Sequence, residues 1–174
     1  MPTNIDIINI IKPLLPETLS SVLDIGCGQL WPPYTEKEQD ILGSLFSGKM
    51  ITAIDGCDHV INWREQNGPV GNYILGTIPD ILKTVDKHDV VICHHVLEHL
   101  SKEDQDKTIK YIETLATKMI IIGGPEGYHC NDEHMINTKN PFEKHLDPIF
   151  SDDFQQKGYK IWKIHPVFLA IKYV

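Results

Sequence analysis

A chain of 174 residues, 41% of them hydrophobic, is long enough to bury one core, and no apolar run in it nears the roughly 20 residues that span a bilayer. Acidic residues outnumber basic ones, 24 to 16, for a formal charge of −8; with Lys and Arg spread thinly and no basic stripe, this disfavours nucleic acid as a partner and favours a small-molecule substrate. Residues 1–15 lack a basic region followed by a cleavage pattern, and the four cysteines, Cys27, Cys57, Cys93 and Cys130, form no CxxC pair, so the expectation is a cytoplasmic, unprocessed protein with reduced thiols and no membrane partner.

In chain order the pattern predicts a helix over 5–15, a strand over 21–25, a helix over 35–46 and strands over 50–54 and 73–75. A helix over 78–84, a strand over 90–93, a helix over 102–117 and a strand over 119–122 follow. A helix over 152–157 precedes two strands, 159–164 and 167–174, joined tightly at His165-Pro166 and therefore antiparallel. Ser101 and Asp104 read as a capping-box start, and Ser151 before Asp152 repeats the signal. Alternation of β-rich and helical stretches argues for an α/β fold, with a mostly parallel sheet covered on both faces. No repeat or linker divides the chain, so residues 1–174 read as a single domain.

The chemistry starts at VLDIGCG, residues 22–28, where Asp24 lies at a strand end and Gly26 and Gly28 occupy the turn beyond it. Glycines there let backbone approach a ligand. The next strand ends in AID, residues 53–55, and a carboxylate at that point can hold both ribose hydroxyls. Together these residues predict an adenosine-binding site at the C-terminal edge of the sheet. A dinucleotide fingerprint would need glycine where Trp31 stands.

DIGCG, then AIDGCD, then DVVICHHVLEHL at 89–100 resembles class I S-adenosylmethionine methyltransferases in order and spacing, over nearly the whole chain. The resemblance implies a Rossmann-like, doubly wound, seven-stranded sheet whose terminal hairpin supplies an antiparallel strand. It places Asp24, Gly26 and Gly28 around the methionine moiety, Asp55 on the ribose, Thr77 and Ile78 near adenine, and His94 beside the cofactor. Cys27 and Gly56, in the same two turns, complete the candidate cofactor set. One departure is Leu30, where the family usually has a third glycine, followed by Trp31-Pro32-Pro33.

In HHVLEH, residues 94–99, a helical turn would put His95, Glu98 and His99 on one face, a set that can ligate a divalent metal. As H-x-x-E-H it also matches an inverted zinc-peptidase motif, which needs a long helix around it, whereas a strand ends just before this one. The stretch resembles more nearly the E-x-x-E-H of ubiquinone-pathway O-methyltransferases and small-RNA 2′-O-methyltransferases, with His95 in place of the first glutamate and His145 as the later histidine. That resemblance implies a metal site of His95, Glu98, His99 and His145, suited to Zn, Fe, Co or Mn. The alternative is that Glu98 and His99 cap and orient the helix and His145 merely contacts substrate; without a metal, one histidine acts directly as base, and His95 and His145 are the catalytic candidates.

GGPEG at 123–127, NPFEKH at 140–145 and SDDF at 151–154 resemble methyltransferases of bacterial surface-polysaccharide pathways, with Glu126 in place of Asn and Phe150 in place of Trp. The expected function is methyl transfer to a small hydroxylated acceptor, a sugar on this resemblance. A non-catalytic binding protein of the same fold is the rival reading. Trp63 and Trp162 read as core or edge aromatics and Trp31 as a possible site residue. His129 and His134 are second-choice bases.

Overall fold

A computed structural model describes residues 4–28, 40–127 and 141–174. Seven strands form one sheet: β1 (Ser21–Ile25), β2 (Met50–Asp55), β3 (Asn72–Leu75), β4 (His88–His94), β5 (Ala116–Pro125), β6 (Lys160–Ile164) and β7 (Val167–Tyr173). Their order is β3-β2-β1-β4-β5-β7-β6. β1 to β5 pair in parallel, and β7 runs antiparallel to both β5 and β6. The sheet is the Rossmann-like, mostly parallel arrangement with a terminal hairpin that the sequence predicts.

Strand alternation sorts the core onto two faces. Leu23, Val91, Cys93, Ile120, Ile122 and Phe168 pack on one face against Ile109 and Ile112 of α4 (Lys102–Leu115) and Phe154 of α5 (Ser151–Gln156). Val22, Ile51, Val90, Ile92, Met119 and Leu169 pack on the other against α1 (Asn4–Ile11), α2 (Ile41–Phe46) and α3 (Asp58–Asn67). Central strands are apolar on both faces because both are covered.

Several elements depart from expectation. The predicted helix 5–15 stops at Ile11 and tightens into a 3-10 turn, Lys12–Leu14, where Pro13 has no N–H to offer. The described part of predicted helix 35–46 is α2, and 35–39 lie outside the described residues. Residues 78–84 form a 3-10 turn, Asp80–Thr84, after Pro79 rather than an α-helix. The helix predicted to 117 ends at Leu115, and β5 begins at once with buried Ala116, its continuous buried run starting three residues later at Met119. α3 was absent from the pattern altogether: its buried positions are Val60, Ile61 and Arg64, so a cation occupies part of its inward face and breaks the apolar period. Ser101 caps α4 by accepting from Asp104 N at 3.2 Å. At α5 Phe150 holds the cap position, and Ser151 N instead donates to Glu126 Oε1 at 3.2 Å. Trp63 and Trp162 are half-buried edge aromatics, whereas Trp31 lies outside the described residues.

The order reverses between β1 and β4, and in open α/β sheets the crevice beyond the carboxyl ends at such a point is where ligands bind. Both motif turns, after β1 and after β4, emerge there. No described helix is long and apolar enough to cross a membrane.

Candidate functional site

The turn after β1 is folded back onto β2: Gly26 N and Cys27 N both donate to Ile54 O, at 2.8 and 3.0 Å. This needs positive φ at Gly26 (72°) and Gly28 (52°), and a β-carbon at Gly26 would collide with Cγ2 of Val96. Glycine is therefore required at position 26 by conformation and by space. Asp55 closes the turn from the other side. Its Oδ2 accepts from Gly28 N at 3.1 Å and its Oδ1 from Cys57 N at 2.9 Å, so each oxygen keeps a further acceptor position.

Underneath lies Arg64, 5% exposed, which the sequence reading missed. Nε donates to Gly28 O and Nη2 to Cys27 O, both at 2.6 Å, while Nη1 pairs with Asp40 Oδ1 at 2.8 Å. One guanidinium thus fixes two carbonyls of the glycine turn. Replacing Arg64 with Met leaves the buried Asp40 carboxylate and both carbonyls unpaired, and is expected to cost about 3 to 5 kcal/mol in chemical denaturation. A loss under about 1 kcal/mol would show that the turn stands without it.

Three buried carboxylates, Asp24, Asp40 and Asp55, share this one cation. Burial pushes the Asp24 carboxyl up to about 7, with Arg64 opposing and Asp40 and Asp55 reinforcing. Burial also raises Asp55, against the Cys57 and Gly28 amides and Arg64. Burial thus disfavours negative charge at both carboxylates, a condition that a nearby cation relieves.

A measurable pH dependence follows. An Asp24 carboxyl that titrates near 7 in the fold against 3.8 in an open chain contributes stability that is complete below about 3.8 and lost as pH rises through about 7. At about 1.4 kcal/mol per pH unit the loss reaches up to about 4 kcal/mol. Relative to Asp24→Asn, which carries no proton to lose, the wild-type protein should lose denaturation free energy between pH 5 and 7 and change little above 8. A constant difference across that range would mean that Asp24 is not held protonated.

The other wall is built from the end of β4. His94 packs on Gly123, where a β-carbon would lie 2.6 Å from its Cδ2, and its buried Nε2 has no partner among the described residues. Burial holds this imidazole well below its ordinary pKa and hence neutral. His95 takes φ 56°, a left-handed conformation that costs a non-glycine residue energy and that clusters at functional sites. The residues after it form a 3-10 turn, Leu97–His99, not an α-helical one.

That turn redistributes the predicted metal set. Nδ1 of His95 meets Glu98 Oε1 at 2.9 Å. Glu98, His99 and His145 bring ligand atoms within 4.8 Å of one another, while His95 stands outside that group and reaches it through Glu98. Glu98 is 2% exposed, and its Oε2 is unpartnered among the described residues. Burial opposes its charge, but the His95 hydrogen bond and the nearby His95 and His99 outweigh it, and its carboxyl stays below the ordinary value. His99 Nδ1 faces Lys144 O at 3.2 Å; a carbonyl can only accept, so Nδ1 is the donor.

His145 arrives on segment 141–150, which is tied to the turn by Leu146 N donating to Glu98 O at 2.8 Å. Buried Gln105 of α4 donates through Nε2 to Leu97 O (3.0 Å) and Asp147 O (2.9 Å), joining the turn and the segment. His129 and His134 lie outside the described residues.

Between the walls runs a cleft of about 650 Å³, part of it open to solvent. Gly26, Gly28, Asp55, Gly56, Thr77 and Ile78 line it together with His95, His99, Leu100 and Phe142, and Phe142 packs close to Gly56. Six of the nine expected cofactor residues therefore share one cleft with two of the expected histidines. Asp24, Cys27 and His94 are not in its lining.

No family model and no curated protein matches this chain. Solved structures do. An S-adenosylmethionine-dependent methyltransferase from Archaeoglobus fulgidus superposes with a TM-score of 0.65 at 16% identity, over 99% of this chain and 95% of that one. Magnesium protoporphyrin IX methyltransferase from Synechocystis PCC 6803, solved with bound SAH, gives 0.63 at 16%, over 97% and 82%. A small RNA methyltransferase gives 0.62 at 16%, over 98% of this chain and 25% of that one. The chain is thus similar in fold, from its first described helix to its terminal hairpin, to S-adenosylmethionine-dependent methyltransferases of known structure.

Proposed function

We propose that this chain transfers a methyl group from S-adenosylmethionine to a hydroxyl of a small acceptor. The observation that carries the reading is the single cleft at the strand-order reversal, lined by the glycine turn, Asp55 and His95. The residues fit the donor: Gly28 faces open space, with nothing within 4 Å of where a β-carbon would lie, and Asp55 keeps acceptor positions for two ribose hydroxyls. When bound, S-adenosylmethionine supplies an electrophilic methyl on its sulfonium.

What the chain contributes is positioning and a proton acceptor. Glu98 accepts Nδ1–H of His95, which fixes the ring of this cleft-lining residue; this is the orienting arrangement of a carboxylate behind a histidine base. His95 Nε2 would take the acceptor's hydroxyl proton as the oxygen attacks. Leu100 and Phe142 also line the cleft and help to keep water from the reacting atoms.

A divalent metal at Glu98, His99 and His145 is a second reading, favoured by one specific observation, the unpartnered buried Oε2 of Glu98. The donor set fits: His99 is held by Nδ1–H to a carbonyl, as histidine ligands commonly are, and its Nε2 is available. Two imidazoles and a carboxylate suit Zn, Fe, Co or Mn better than Mg. Such an ion would lower the pKa of an acceptor hydroxyl. The peptidase reading loses its basis, because its motif lies in a 3-10 turn with His95 and His99 serving different partners.

We take the acceptor to be a sugar from the sequence patterns at 123–127 and 140–145, and a small molecule rather than nucleic acid from the charge of −8. The test is transfer of label from methyl-labelled S-adenosylmethionine to a panel of sugars and nucleotide sugars, with and without chelator. Labelled sugar supports the reading, and label found only in RNA or protein overturns the acceptor class. Loss of transfer on chelation, with donor binding intact, would select the metal reading over a metal-free His95 base.

A further inference from the structure

Cys57, Asp58 and His59 occupy the start of α3, immediately after the Gly56 turn. Cys57 Sγ lies 2.9 Å from His59 Nδ1, and one ligand atom from each of the three residues falls within 4.8 Å of the others. A second cleft, lined by Gly56, Cys57, Asp58, Leu75, Gly76 and Thr77, gives a route from solvent to this group. It is separate from the Glu98, His99 and His145 group; Cys57 borders the core and its backbone N–H supports Asp55, but the proposed reaction uses none of the three side chains.

We propose that Cys57, Asp58 and His59 form a binding site for a thiophilic divalent cation of the zinc class. Thiolate, imidazole and carboxylate are the donors that zinc takes, at about 2.3 Å for sulfur and about 2.0 to 2.2 Å for nitrogen and oxygen. Tetrahedral angles at those lengths set sulfur and nitrogen roughly 3.6 Å apart. The present 2.9 Å contact is a thiol–imidazole hydrogen bond, and the cation replaces its proton. The thiol proton goes to solvent, and the two donors separate by about 0.7 Å through rotation of the half-buried His59 side chain. Three protein ligands leave a fourth position facing the cleft. Cys27 and Cys93 do not compete, since burial pushes both thiols up and disfavours their thiolates.

The test is titration of the full chain with cadmium, read by the near-ultraviolet thiolate-to-metal charge-transfer absorption. This signal needs sulfur and is blind to the histidine and glutamate group. The wild-type protein should show one equivalent, Cys57→Ser should lose the band, and His59→Ala should bind at least tenfold more weakly. His145→Ala should titrate like the wild type, which separates this site from the other group and from the proposed reaction. Because the Cys57 side chain is buried, His59→Ala serves as the independent arm if Cys57→Ser fails to fold. No band in the wild type, a full band in folded Cys57→Ser, or wild-type affinity in His59→Ala overturns the site.

Discussion

Replacing Asp55 with alanine is expected to weaken binding of S-adenosylhomocysteine by about 2 to 4 kcal/mol, roughly 30- to 900-fold, the range for losing two charge-assisted hydrogen bonds. The structure adds a second cause: the same carboxylate accepts from Gly28 N and Cys57 N, so its removal also frees the turn that would receive the ligand. Asp55→Asn separates the two. An amide oxygen still accepts from one backbone N–H, so the turn is partly kept while the charge is lost, and affinity should fall between the wild type and Asp55→Ala. Isothermal calorimetry on variants with wild-type circular dichroism reads both. Unchanged affinity in folded Asp55→Ala would remove Asp55 from the ribose site.

The second large effect concerns proton transfer. His95→Ala should lower turnover by about 10²- to 10⁴-fold, the usual contribution of a general base, while leaving calorimetric binding of S-adenosylhomocysteine within a few-fold of wild type. Glu98→Gln should cost less, since Gln can still accept from Nδ1 but no longer stabilises the imidazolium formed when His95 takes a proton. Removing Glu98 by Glu98→Ala should cost more, because the His95 Nδ1 proton loses its acceptor and the ring its orientation. Near-wild-type turnover in His95→Ala, combined with loss in His145→Ala, would shift the proton's route away from His95 and toward the Glu98, His99 and His145 group.

What the sequence revealed follows from where its signals are local. Asp24, Gly26, Gly28 and Asp55 sit at strand ends and in the turn beyond, where hydrophobic runs stop abruptly and glycine marks positive φ, and the structure places Gly26, Gly28 and Asp55 along one cleft. Asp24 is nonetheless not in the lining of the cleft, which strand pattern alone does not show. Arg64 was invisible because a buried arginine in a polar helix looks like a solvated one; contacts with residues 24, 36 and 37 positions away reveal it. The histidine motif was legible as a cluster but not as a geometry. Left-handed backbone at His95 and the 3-10 turn after it send His95 to Glu98 and His99 toward His145, whereas i, i+3, i+4 spacing on an α-helix would have placed all three together. Leu30, in place of the usual third glycine, lies outside the described residues.

The central claim is that the cleft at the ends of β1 and β4 receives the adenosyl donor. Titrating the wild-type chain with S-adenosylhomocysteine by isothermal calorimetry measures this directly. Saturable binding of one equivalent is expected, displaced by S-adenosylmethionine, weakened by Asp55→Ala as above and unchanged by chelator. Absence of binding at ligand concentrations up to the millimolar range, by a protein that unfolds cooperatively, would contradict it.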